Sequence, residues 1–80
     1  MNYTQVELTS PDGILEVWWL PVPEGRAKVG EKITRKIVHT DVDWVISQVC
    51  VTLHEESIPT GSRIAKYFIR EAQTIAYMSL

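Results

Sequence analysis

Two tryptophans stand side by side in Ile14-Leu15-Glu16-Val17-Trp18-Trp19-Leu20. The segment is apolar and rich in strand-forming residues, and adjacent side chains on a strand point to opposite faces of the sheet. Trp18 and Trp19 therefore need cover on two sides. A chain of 80 residues rarely supplies both, since domains of this size bury only about 60% of their unfolded surface. The pair, together with Trp44 further along, thus points to an indole at a sheet edge, an interface or a binding surface.

The rest of the chain reads as strands joined by strong turn signals. Residues 3–9 alternate, with Val6 and Leu8 on one side and Tyr3, Gln5, Glu7 and Thr9 on the other, as in a half-buried strand. Ser10-Pro11-Asp12-Gly13 carries proline and aspartate at central turn positions and a closing glycine, so residues 14–20 return as the second arm of a hairpin. Pro21 and Pro23 end it, because neither can donate to a ladder. A third strand opens around Val29-Gly30-Glu31-Lys32 and runs towards Val38. Residues 42–53 form the strongest strand, with Val45, Val49, Val51 and Leu53 on one face and Trp44, Ile46, Gln48, Cys50 and Thr52 on the other. It is a possible neighbour for the tryptophan strand.

After the loop at residues 57–62 the period changes. Ile64, Ala65, Phe68, Ile69, Ala72, Ile75 and Ala76 share one arc at 3.6 residues per turn, with Thr60 or Ser62 available as the N-cap, so the spacing predicts an amphipathic helix. The expected fold is α+β: one domain over residues 1–80, a small antiparallel sheet of about four strands, and a C-terminal helix packed on one face. The alternative is a small all-β, SH3-like barrel in which residues 63–69 and 74–80 are two further strands.

Composition narrows the function classes. The net charge of −2 gives no bulk attraction to nucleic acid or to anionic membranes. A lone cysteine, Cys50, allows no internal disulfide and fits a reducing compartment. No apolar stretch approaches the roughly 20 residues of a membrane helix, and the N-terminus lacks the pattern of a secretory signal. The expectation is a cytoplasmic protein without membrane contact.

The basic residues are unevenly placed. Arg26, Lys28, Lys32, Arg35 and Lys36 cluster in one segment; Arg63, Lys66 and Arg70 form a second group near Tyr67 and Tyr77. Such groups contact phosphates or acidic proteins, although the first lacks the spacing of a phosphate loop and charges also keep sheet edges soluble. His39, Asp41, Asp43, Cys50, His54, Glu55 and Glu56 are ligand types without zinc-motif spacing, and no nucleophile, base and orienting group can be assembled from them. No catalytic residue, metal or cofactor is expected. The sequence favours a small non-enzymatic accessory protein that binds other proteins and self-associates, most simply as a dimer, through Trp18, Trp19 and Trp44. The alternative is a nucleic-acid or nucleotide binder using the two basic groups.

Overall fold

The computed structural model describes residues 1–37, 40–65 and 78–79, of which 35–37, 41, 78 and 79 are described by their backbone alone. The described chain is almost entirely sheet, curled into a mixed half-barrel. Strands β1 (Asn2–Thr9), β2 (Leu15–Leu20), β3 (Lys32–Ile37), β4 (Thr40–His54), β5 (Ile64–Ala65) and β6 (Met78–Ser79) follow in sequence, with one 3-10 turn at Glu55–Ser57. In the sheet their order is β3-β4-β1-β2-β5-β6.

The β1–β2 hairpin forms as the turn chemistry predicts. Gly13 N–H donates to the Ser10 carbonyl at 2.9 Å, and the Ser10 hydroxyl accepts from Ile14 N–H at 3.0 Å. Gly13 lies at φ 84°, a conformation that glycine adopts without a Cβ penalty. The register then sets Val6 beside Trp18 and Gln5 beside Trp19. Strand β4 does not pair with β2; β1 lies between them, and β4 runs antiparallel to β1 on one side and to β3 on the other.

The register between β1 and β4 slips twice. Leu8 faces Ile46 but Glu7 faces Gln48, and Val6 faces Val49 but Thr4 faces Thr52. Each slip adds one residue to β4, which is the signature of a β-bulge. Because side chains alternate with a period of two, each bulge also resets which residues point inward. Trp44 and Ile46 are buried, Val49 and Thr52 half-buried, and Cys50 and Val51 both exposed. A straight strand would have placed Cys50 on the face of Trp44 and Ile46; the bulges turn it out to solvent.

The core fills the concave side. Val6 and Leu8 of β1, Trp18 and Leu20 of β2, Ile33 of β3, Trp44 and Ile46 of β4 and Ala65 of β5 pack there, joined by Val22 and Ala27 from the loop between β2 and β3. The buried Thr4 hydroxyl donates to the Val22 carbonyl at 2.9 Å and shares a 2.8 Å contact with Thr52 Oγ1. These bonds pin the loop beneath the sheet and satisfy a polar group that would be costly to bury alone.

The α+β expectation is corrected by the C-terminal segment. Ile64–Ala65 is a strand parallel to β2, with Ile64 beside Trp19, and it pairs antiparallel with Met78–Ser79. No α-helix is present among the described residues. The remainder of the expected helix, 66–77, lies outside them. An apolar arc reports which residues seek burial; here the outer edge of β2 offers Ile64 and Ala65 a ladder, and tertiary pairing overrides local periodicity. Ile64–Ala65 and Met78–Ser79 fall inside the two segments that the all-strand alternative assigned.

Candidate functional site

The three indoles are enclosed by the chain. Trp18 is 0% exposed, Trp19 4% and Trp44 3%. Trp18 and Trp44 face the concave core, and Trp18 Nε1–H donates to Glu16 Oε1 at 2.9 Å. Trp19 points to the opposite, outer face. Its row in the sheet places Gln5 on one flank and Ile64 on the other. Its backbone N–H donates to the Arg63 carbonyl at 2.8 Å, which draws the 61–64 segment alongside. This segment borders the indole on the outer face, and no indole presents a broad free surface.

What β2 does present outward is aliphatic. Leu15 is 61% exposed and Val17 43%, with Ile14 at the hairpin end also exposed. They form a strip leading along β2 to Trp19. There a pocket of about 390 Å³ opens, lined by Gln5, Val17, Trp19, Gly61, Ser62 and Arg63. The turn that forms its far wall is held by Ser62, whose N–H and hydroxyl both donate to the Pro59 carbonyl. Arg63 is exposed and supplies the cation, Gln5 an amide, and Glu7, beside Val17 in the register, a carboxylate on the same face of the sheet. An apolar strip ending in a small pocket with one guanidinium can hold an extended, partly apolar segment carrying an acidic group.

The site unites two residues that sequence analysis held apart, Trp19 from the indole set and Arg63 from the basic set. Leu15, Val17 and Gln5 were missed. The outward alternation of β2 marks Leu15 and Val17, but which face of the strand the chain covers depends on the fold. Trp18 and Trp44 lie away from the site, in the core.

The remaining basic residues are dispersed. Arg26 and Lys28 are exposed on the β2–β3 loop, and Lys32 is exposed at the start of β3. The backbones of Arg35 and Lys36 lie on β3, opposite Val42 and Asp41. Strands β4, β1 and β2 separate β3 from β5 in the sheet order, so this group and Arg63 belong to different sides of the sheet. Lys66 and Arg70 lie outside the described residues, as does His39. Among the described residues no three His, Cys, Asp or Glu side chains gather as a metal site. Asp43 accepts a 2.8 Å hydrogen bond from Thr34, a cross-strand contact between β3 and β4. Among the described residues no helix is long and apolar enough to cross a membrane.

Comparison of the chain with protein-family models, with curated proteins and with solved structures finds no match in any of the three.

Proposed function

We propose that this chain is a non-enzymatic, cytoplasmic interaction module that binds a partner protein through the outer face of β2. The observation that carries the reading is the exposed strip of Leu15 and Val17 running into the Trp19–Arg63 pocket. Exposed apolar residues are informative when they are contiguous and rimmed by polar groups, and here Gln5, Glu7 and Arg63 form the rim. Trp19 acts as the rigid end wall. The contact residues are Leu15, Val17, Gln5 and Arg63, with an extended segment of the partner lying along the strand and an acidic group meeting the guanidinium.

Selection from a random peptide library displayed against the folded chain tests this. Enriched peptides should pair apolar residues with an acidic one. Leu15→Lys, Val17→Lys and Arg63→Glu should each weaken their binding by about tenfold or more, equivalent to roughly 1.4 kcal/mol. These positions are exposed, so stability should change by only about 0.5 kcal/mol. Peptides that bind all three variants as well as the parent would remove the strip from the site. Binding of short single-stranded oligonucleotides that falls steeply with salt and is lost on reversing Lys28, Lys32 and Arg63 would favour the nucleic-acid reading instead.

A further inference from the structure

The backbone of β2 alternates between two edges. Ser10 N–H donates to the Ile14 carbonyl, so residue 14 turns its polar groups to β1. The alternation carries through Glu16, Trp18 and Leu20, opposite Leu8, Val6 and Thr4. Leu15, Val17 and Trp19 therefore turn theirs to the other edge. Trp19 is partnered there: its N–H donates to the Arg63 carbonyl at 2.8 Å, and it pairs parallel with Ile64. The next bond of a parallel ladder would run from Arg63 N–H to the Val17 carbonyl. Among the described residues that bond is not made, and no other backbone bond fills this edge at Val17 or Leu15.

The ladder stops where the chain turns. Gly61 lies at φ 88°, and the Ser62 N–H and hydroxyl both bond back to the Pro59 carbonyl. The pocket lined by Gln5, Val17, Trp19, Gly61, Ser62 and Arg63 opens in this fork. An extended segment laid along the free edge at Leu15 meets the Trp19–Arg63 bond as a stop, because β5 holds the edge beyond it. The segment must end at the pocket or leave the sheet there.

We propose that the pocket takes the terminal carboxylate of a partner protein whose extended C-terminal segment adds to β2 in parallel. The proposal rests on the β2 strip as a partner site and names the acidic group that the site receives. Charge selects the direction. A segment that runs parallel to β2 and ends at the pocket brings a carboxylate to Arg63, whereas an antiparallel one ending there sets an ammonium against a guanidinium. β5 has the same parallel sense on this edge. Val17 N–H then donates to a carboxylate oxygen, with Arg63 and the Gln5 amide as further donors on the pocket lining. In a parallel ladder the acceptor for Val17 N–H belongs to the residue beside Glu16. The last residue of the partner therefore lies beside Glu16 and the penultimate one beside Leu15. The penultimate side chain shares the outer face with Leu15 and extends the strip, so it should be apolar. In a peptide whose C-terminus is fused or blocked, an acidic side chain stands in for the same group.

The probe is a library of random peptides anchored by the N-terminus, each ending in a free carboxylate. Peptides selected on the full chain should carry an apolar penultimate residue. Remade as C-terminal amides, or with two glycines added after the last residue, they should bind about tenfold or more weaker by fluorescence anisotropy, the loss expected of a hydrogen-bonded charge. Arg63→Gln should weaken the acid form and leave the amide form nearly unchanged, a difference that general damage to the pocket would not produce. Peptides that lose binding with Leu15→Lys yet bind equally as acid, amide and extended forms would overturn the terminal carboxylate and leave the β2 strip standing. Peptides that depend on an internal Asp or Glu and not on the terminus would overturn it in the same way. Peptides indifferent to both Leu15→Lys and Val17→Lys would remove the strip itself, and this proposal with it.

Discussion

Trp18 and Trp19 are neighbours with different duties. Among the described residues Trp18 is the largest fully buried side chain, and it belongs to one cluster with residues of both hairpin strands and β4. Trp18→Ala should cost about 3–5 kcal/mol, the range for aromatic truncation in a core, and urea denaturation should show most of the stability gone. Trp19 lies outside that cluster, against Ile64 and the 61–63 turn. Trp19→Ala should act more locally, with faster amide exchange at residues 61–65 before any global loss, because elements with few core contacts open first. Thr4 offers a polar test of the same interior. Thr4→Val keeps the shape but leaves the Val22 carbonyl without its donor and Thr52 Oγ1 without its partner. A loss of about 1–3 kcal/mol is expected in the same denaturation measurement. The adjacency of two indoles made it legible that both faces of β2 need cover. Trp18 shares its cluster with residues such as Trp44 and Ile46, 26 and 28 positions on, and Trp19 meets residues 61–64, more than 40 positions on, and no local pattern encodes either.

Among the elements, β4 decides the architecture. Its two extra residues rotate the inward set from Trp44 and Ile46 to Val49 and then Thr52. Deleting Ser47, the extra residue of the first bulge, leaves Val49 two positions after Ile46 and still inward. That deletion should preserve a cooperative thermal transition. Deleting Val45 instead makes Trp44 and Ile46 neighbours, sends one of them to solvent, and should abolish the transition. The hairpin was readable from Pro11, Asp12 and Gly13 because turn geometry is local. The extents of β1 and β4 were readable from alternation and β-branching. The bulges were not, since Ser47 and Cys50 sit in a run with no glycine or proline to mark them. That omission put Cys50 on the wrong face. The same limit affected Ile64 and Ala65, whose apolar spacing suits a helix but whose backbone found a ladder along β2.

Across the whole molecule the three indoles lie in the interior, and the proposed partner site falls on the aliphatic strip outside them. A small domain usually gains stability from a partner; this chain gains it first by curling one sheet around a loop that carries Val22 and Ala27 into the core. The outer strip of β2 and the concave core are separate surfaces, so Leu15→Lys should weaken partner binding while leaving the thermal melt in place. The chain covers both faces of its tryptophan strand without help. Acrylamide quenching of tryptophan fluorescence checks this, measured at a dilution where sedimentation shows a monomer so that no second copy contributes cover. A blue-shifted emission with slow, uniform quenching of all three indoles is expected. A red-shifted component that quenches freely, accounting for about one indole in three, would place a tryptophan at the surface and contradict it.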